Sequence, residues 1–141
     1  MDQAQLQKKV KEGYLHCRMM IEVVAVTEEA TKSALEKHLA MLEKEKHTIV
    51  TKKDFKDMRP LTKPFPTVEK AFSWLVEIEL LVQNLETLIY LAMNYGPSST
   101  EIIAPDKITL SVGEAQSLTN SVAEVIHKFA QQGLGGIVVR S

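Results

Sequence analysis

Residues Ala71 to Val82 read AFSWLVEIELLV, and their alternation decides the fold class. Phe72, Trp74, Val76, Ile78, Leu80 and Val82 fall on one side of an extended chain. Ser73, Leu75, Glu77, Glu79 and Leu81 fall on the other. Side chains of a strand alternate between faces, so this period of two predicts a long strand with one fully apolar face. Asn84 then supplies an N-cap, and Leu85, Leu88, Ile89, Ala92 and Met93 recur at helical spacing until Gly96 and Pro97 stop the helix. Strand passes directly into helix.

Working outward toward the N-terminus, the same pairing recurs. Tyr14 to Val26 (YLHCRMMIEVVAV) is rich in β-branched and apolar residues and predicts a second long strand. Thr27 caps the helix that follows to about Lys46, with Glu28 and Glu29 on its positive end and Ala34, Leu35, Leu39 and Leu42 as its apolar stripe. Residues 1–12 are polar, with Leu6 and Val10 one turn apart, and form a short helical arm that Gly13 ends.

Between the two strand–helix units, His47 to Met58 gives a weak, polar strand of edge character. Pro60, Pro64 and Pro66 make residues 59–67 a proline-rich loop, because each proline lacks a ladder donor and restricts its predecessor. Beyond Pro97, SSTEIIAPDKITL resumes an extended segment that Pro105 interrupts. Ser111 and Glu114 then form a capping box for a last long helix, whose stripe is Ala115, Leu118, Val122, Val125, Ile126 and Phe129. Residues 133–141 are a glycine-rich tail, read equally as a closing strand or a loose end.

The element order is β, α, β, β, α, β plus a C-terminal helix. Right-handed crossovers then predict a ferredoxin-like split βαβ sandwich: a four-stranded antiparallel sheet with helices on one face, in a single α+β domain spanning 1–141.

Composition bounds the function. The chain has 45% hydrophobic and 25% charged residues and a net charge of −1, which is ordinary globular usage without a global field for nucleic acid or anionic membrane. The most apolar stretch, Ser73 to Met93, is broken by Glu77, Glu79, Gln83, Asn84 and Glu86, so no membrane span is expected. One cysteine, Cys17, and no leader pattern point to the cytoplasm.

Residues 76–108, VEIELLVQNLETLIYLAMNYGPSSTEIIAPDKI, resemble the C-terminal extension module of WYL-type transcriptional regulators. The likeness lies in a strand leading to a Leu-rich helix and then a turn of the form Gly96, Pro97, Glu101, Ile102, Ile103 and Pro105. It implies a ferredoxin-like half linked to ligand sensing. The helix-turn-helix and W-Y-L run of those regulators have no counterpart here, so the resemblance carries over no binding residue.

Chemistry-bearing motifs are sparse. His16, His38, His47 and His127 lack zinc-ligand spacing, Cys17 lies inside a strand, and Gly133, Gly135 and Gly136 follow a helix instead of preceding one. Glu77 and Glu79 share a strand face, the placement a divalent ion or a raised carboxyl pKa would use, although a solvent-facing row is the simpler account of them. Lys46 to Lys63 holds six basic against two acidic residues, with Phe55 and Phe65 nearby. Lys52, Lys53, Lys56 and Arg59 there are the nucleic-acid or anion-binding candidates, and lysines guarding an edge strand explain the same residues.

The expected function is therefore a non-catalytic interaction or small-ligand regulatory module acting as a homodimer, with no cofactor. Single-stranded nucleic-acid binding through 46–63 and a metal-dependent enzyme using Glu77 and Glu79 are the alternatives.

Overall fold

The computed structural model describes residues 1–132, a mixed α+β fold with a five-stranded open sheet and four helices. In chain order the elements are α1 (Gln3–Lys11), β1 (Leu15–Ala25), α2 (Glu28–Glu43), β2 (Thr48–Phe55), β3 (Arg59–Phe65), β4 (Val68–Val82), α3 (Leu85–Tyr95), β5 (Ser99–Ala104) and α4 (Val112–Gln131). Every strand pair is antiparallel. The order across the sheet is β2, β4, β1, β5, with β3 also on β4. Helix α2 therefore links two strands separated by β4, and α3 links two separated by β1.

The alternation that opened the reading sets the core. Cys17, Met19 and Ile21 of β1 and Val76, Ile78, Leu80 and Val82 of β4 are buried against Leu35, Leu39 and Leu42 of α2 and Leu88, Leu91 and Tyr95 of α3. Local chemistry fixes the helix ends. Thr27 Oγ1 accepts from Ala30 N at 3.0 Å, Asn84 Oδ1 accepts from Thr87 N at 2.9 Å, and Gly96 closes α3 at φ 55°. Buried Thr31 donates to Thr27 O at 2.7 Å and faces Phe72 O at 3.3 Å, tying α2 to β4.

Four expectations are corrected. The proline-rich loop of residues 59–67 and the four-stranded sheet give way to a fifth strand, since Arg59–Phe65 pairs with the first half of β4. Prolines fit because β3 lies on the edge and its register breaks between Thr62 and Phe65, where Lys63 takes φ 48° and Pro64 sits unpaired.

Helix α2 ends at Glu43, short of Lys46, and His47 at φ 64° turns the chain into β2. Helices are also not confined to one face. Leu6 and Val10 of α1 line a cavity with His16, Arg18 and Glu79, which alternate away from the core.

The capping-box helix α4 packs on α3, as Ser117 and Ser121 hydroxyls hydrogen-bond Glu86. Its apolar stripe is only partly used: Val125 is buried and Leu118 and Val122 are half-buried, whereas Ala115, Ile126 and Phe129 are exposed. The glycine-rich tail, 133–141, lies outside the described residues. Among the described residues no helix is long and apolar enough to cross a membrane.

Candidate functional site

On the sheet face opposite the core, β1 presents His16, Arg18, Met20 and Glu22, interleaved with the buried Cys17, Met19 and Ile21. Register places Arg18 beside Glu79 on β4 and Glu101 on β5. Arg18 Nη1 donates to Glu101 Oε2 at 2.8 Å, its Nε lies 3.0 Å from Glu77 Oε1, and Nη2 lies 4.0 Å from Glu79 Oε2. The Nε atom is shielded from solvent, yet its approach to Glu77 is off the hydrogen-bonding angle, so the contact is Coulombic. The Glu101 hydrogen bond, followed by the charges of Glu101, Glu79 and Glu77, raises the guanidinium pKa further.

The row continues to both sides. His16 Nε2 and Glu79 Oε1 are 2.9 Å apart, in a part-buried pair. Lys56 Nζ lies 2.6 Å from Asp54 Oδ2 and 3.7 Å from Glu77 Oε2. Each partner holds the other charged: Asp54 is shifted down chiefly by its hydrogen bond from Lys56, and Lys56 is shifted up by the same bond.

Helix α1 roofs one end of this face. Between them is a cavity of about 580 Å³ with an apolar wall of Leu6, Val10 and Ile103 and a polar end of His16, Arg18 and Glu79. Ligand sites combine a concave apolar lining with a few converging polar groups; here Leu6, Val10, Ile103 and Ala104 give the apolar part, and Gln3, Gln7 and Lys11 add polar groups along α1. A slightly larger hollow of about 610 Å³ lies between Lys44, Lys46, His47 and the start of α3. Of its polar groups, Asn84 caps α3 and Glu86 is bound to Ser117 and Ser121.

The structure separates the basic candidates. Lys52 pairs across from Glu79 and Lys53 from Ile78, so they point to opposite faces. Lys53 Nζ reaches Glu43 Oε1 of α2 at 3.1 Å, and Lys56 is bound as described. Arg59 of β3 pairs with Ser73 of β4 and lines a shallow hollow with Lys56 and Asp57. Phe55 stacks on Trp74 with centroids 4.8 Å apart, and Trp74 Nε1 donates to Lys56 O at 2.7 Å. Both rings serve this corner of the fold.

Glu77 and Glu79 do share the open face; Glu77 faces Arg18 and Lys56, and Glu79 faces Arg18. Among the described residues no group of three or more His, Cys, Asp or Glu converges as a metal site. Cys17 is fully buried, and burial pushes its thiol pKa to about 12, the opposite of an activated nucleophile. Sequence reasoning missed Arg18, His16 and the roofing role of α1. The signal was present as the alternation of His16, Arg18, Met20 and Glu22 within a strand read only as apolar.

A family model, the MJ0538 family, matches residues 16–141, and the chain belongs to that family. No curated protein and no solved structure matches it.

Proposed function

We propose that this member of the MJ0538 family is a non-catalytic regulatory module that binds a small ligand between α1 and the open face of its sheet and acts as a homodimer. The scaffold is read as ferredoxin-like: the order β2, β4, β1, β5, with each helix crossing over one intervening strand, is the pattern of two interleaved βαβ halves, with β3 added. A cytoplasmic setting suits a chain whose one thiol is buried and unpaired. The likeness of residues 76–108 to the WYL extension module supports the ligand-sensing part of the reading.

One observation carries the proposal: an apolar wall from α1 and β5 faces a converging His16, Arg18 and Glu79 across a cavity of drug-like volume. Glu101 is the most exposed of Arg18's partners, at 62% against 30% and 20% for Glu77 and Glu79. A ligand acid group would replace Glu101 on the guanidinium, while its apolar body lies along Leu6 and Val10. The ligand class is thus a small carboxylic acid with a hydrocarbon portion.

Octanoate is a suitable probe. Titrated into isotopically labelled protein, it is expected to shift the amide resonances of Leu6, Val10, Arg18 and Ile103, and a Val10→Trp replacement that fills the cavity is expected to abolish the shifts. Absence of shifts there, or their survival in Val10→Trp, would refute the site.

A further inference from the structure

Helix α4 has a second apolar face. Ser117, Ser121 and Val125 turn toward α3, and beside them run Val112, Ala115, Thr119, Val122, Ile126 and Phe129. Val112 is 85% exposed, Ile126 41% and Phe129 38%. Successive spacings along this stripe are three, four, three, four and three, which read the same in either direction.

We infer that this stripe is the contact between two copies of the chain, with the α4 helices side by side and antiparallel about a two-fold axis. Reversing the helix about its midpoint, between Asn120 and Ser121, sets Val112 against the partner's Phe129, Ala115 against the partner's Ile126 and Thr119 against the partner's Val122. Small Ala115 then meets large Ile126, Phe129 meets the shorter Val112, and Thr119 meets Val122 of like size, and a two-fold contact requires such self-complementarity. The same operation brings Glu114 opposite the partner's His127. It also sets Lys128 against the partner's Gly113, so no like charges meet.

The size of the patch sets the strength. An 18-residue stripe is about 27 Å long. Two such helices bury an area at or below the low end of specific interfaces, roughly 1,200 Å² in total, so a weak dimer is expected. The inference rests on the homodimer half of the proposed function and is independent of the cavity under α1.

Sedimentation equilibrium of the full chain tests it. The apparent mass is expected to rise from 15.8 kDa toward twice that value as concentration increases through roughly 10 μM to 1 mM. Ile126→Glu is expected to remain monomeric with an unchanged circular dichroism spectrum, and Val112→Lys, at the most exposed position, provides a second variant. Mixed Ala115→Cys and Ile126→Cys chains are expected to form a disulfide with each other faster than either forms with itself, with buried Cys17 silent. A monomer throughout overturns the inference, whether residues 133–141 or a foreign protein covers the stripe. So does a dimer that survives both charge variants, or equal cross-linking of each cysteine chain with itself. Octanoate shifts in Ile126→Glu report on the cavity separately.

Discussion

Arg18 of central strand β1 donates from Nη1 to Glu101 Oε2 of edge strand β5 at 2.8 Å, and the same guanidinium sits among Glu77 and Glu79 of β4. One cation thus joins three strands and lessens the repulsion among three carboxylates. Arg18→Met leaves those carboxylates facing each other, so it is expected to lower Tm more than Lys53→Met, which breaks one exposed pair with Glu43. Adding Glu101→Gln to Arg18→Met is expected to recover part of the loss, and high salt to narrow it. Equal Tm losses for the two single variants would contradict the hub role.

The core prediction rests on burial alone. Leu35 of α2 has no exposed surface and packs within the cluster formed by β1, β4 and α3. Leu35→Ala is expected to cost about 2–5 kcal/mol in urea unfolding, the range for leucine truncation in a core that closes incompletely. On the opposite side of the same helix Met41 is 62% exposed, and Met41→Ala is expected to stay within about 0.5 kcal/mol.

Alkaline pH acts on Cys17. Its thiol ionises ordinarily near 9.0 and in the fold near 12, raised by burial. Below pH 9 both states hold the proton and the group adds no pH dependence; between 9 and 12 only the unfolded chain releases it, so stability falls as pH rises. The slope is at most about 1.4 kcal/mol per pH unit. Tyr95 adds a similar trend higher up, from 10.0 to about 12, through burial and its hydrogen bond to Glu45. Cys17→Ala is expected to be less stable at neutral pH yet to lose less stability per pH unit above 9, and an unchanged slope would exclude Cys17 as the source.

These sites show what the sequence could and could not reveal. Period two in residues 72–82 announced both the core face and the Glu77 and Glu79 row, because alternation survives in any half-buried strand. Caps at Thr27, Asn84, Gly96 and Ser111 were equally legible, since each is satisfied within a few residues. β3 was not, because proline statistics describe central strands, and only the partner strand reveals that Pro60 and Pro64 lie on an edge. The role of Arg18 was hidden for a related reason: its partners stand 59, 61 and 83 positions away, brought together only by register. The α4 stripe looked like core packing, and nothing local distinguishes a face that meets α3 from one that does not.

The basic segment yields a discriminating result for the nucleic-acid alternative. Lys52 and Lys53 point to opposite faces, and Lys53 and Lys56 are ion-paired, so they form no continuous track for a phosphate backbone. Single-stranded RNA is expected to bind only at low salt, with a shallow dependence on salt concentration. Replacing Lys52, Lys53, Lys56 and Arg59 by Gln together is expected to change that slope by far less than four phosphate contacts would require. A steep slope that the fourfold variant removes would instead establish this edge as a nucleic-acid interface.

Helix α1 is expected to be the least stable of the described elements, for a reason built into its sequence. Asp2 and Gln5 form a capping box, with Asp2 Oδ1 accepting from Gln5 N at 2.8 Å, yet none of its nine residues is buried. Isolated helices of this length are marginal in water, so α1 persists through its contact with β1 and opens at small cost. Amide hydrogen exchange is expected to be fast throughout Gln3–Lys11 and slow at Met19 and Ile78, whose exchange requires global unfolding. If the cavity beneath α1 holds the ligand, saturating octanoate slows exchange in α1 selectively, because binding stabilises only the closed arrangement. Protection of α1 equal to that of β4 without ligand would show instead that the roof is permanently closed, and ligand entry would need another route.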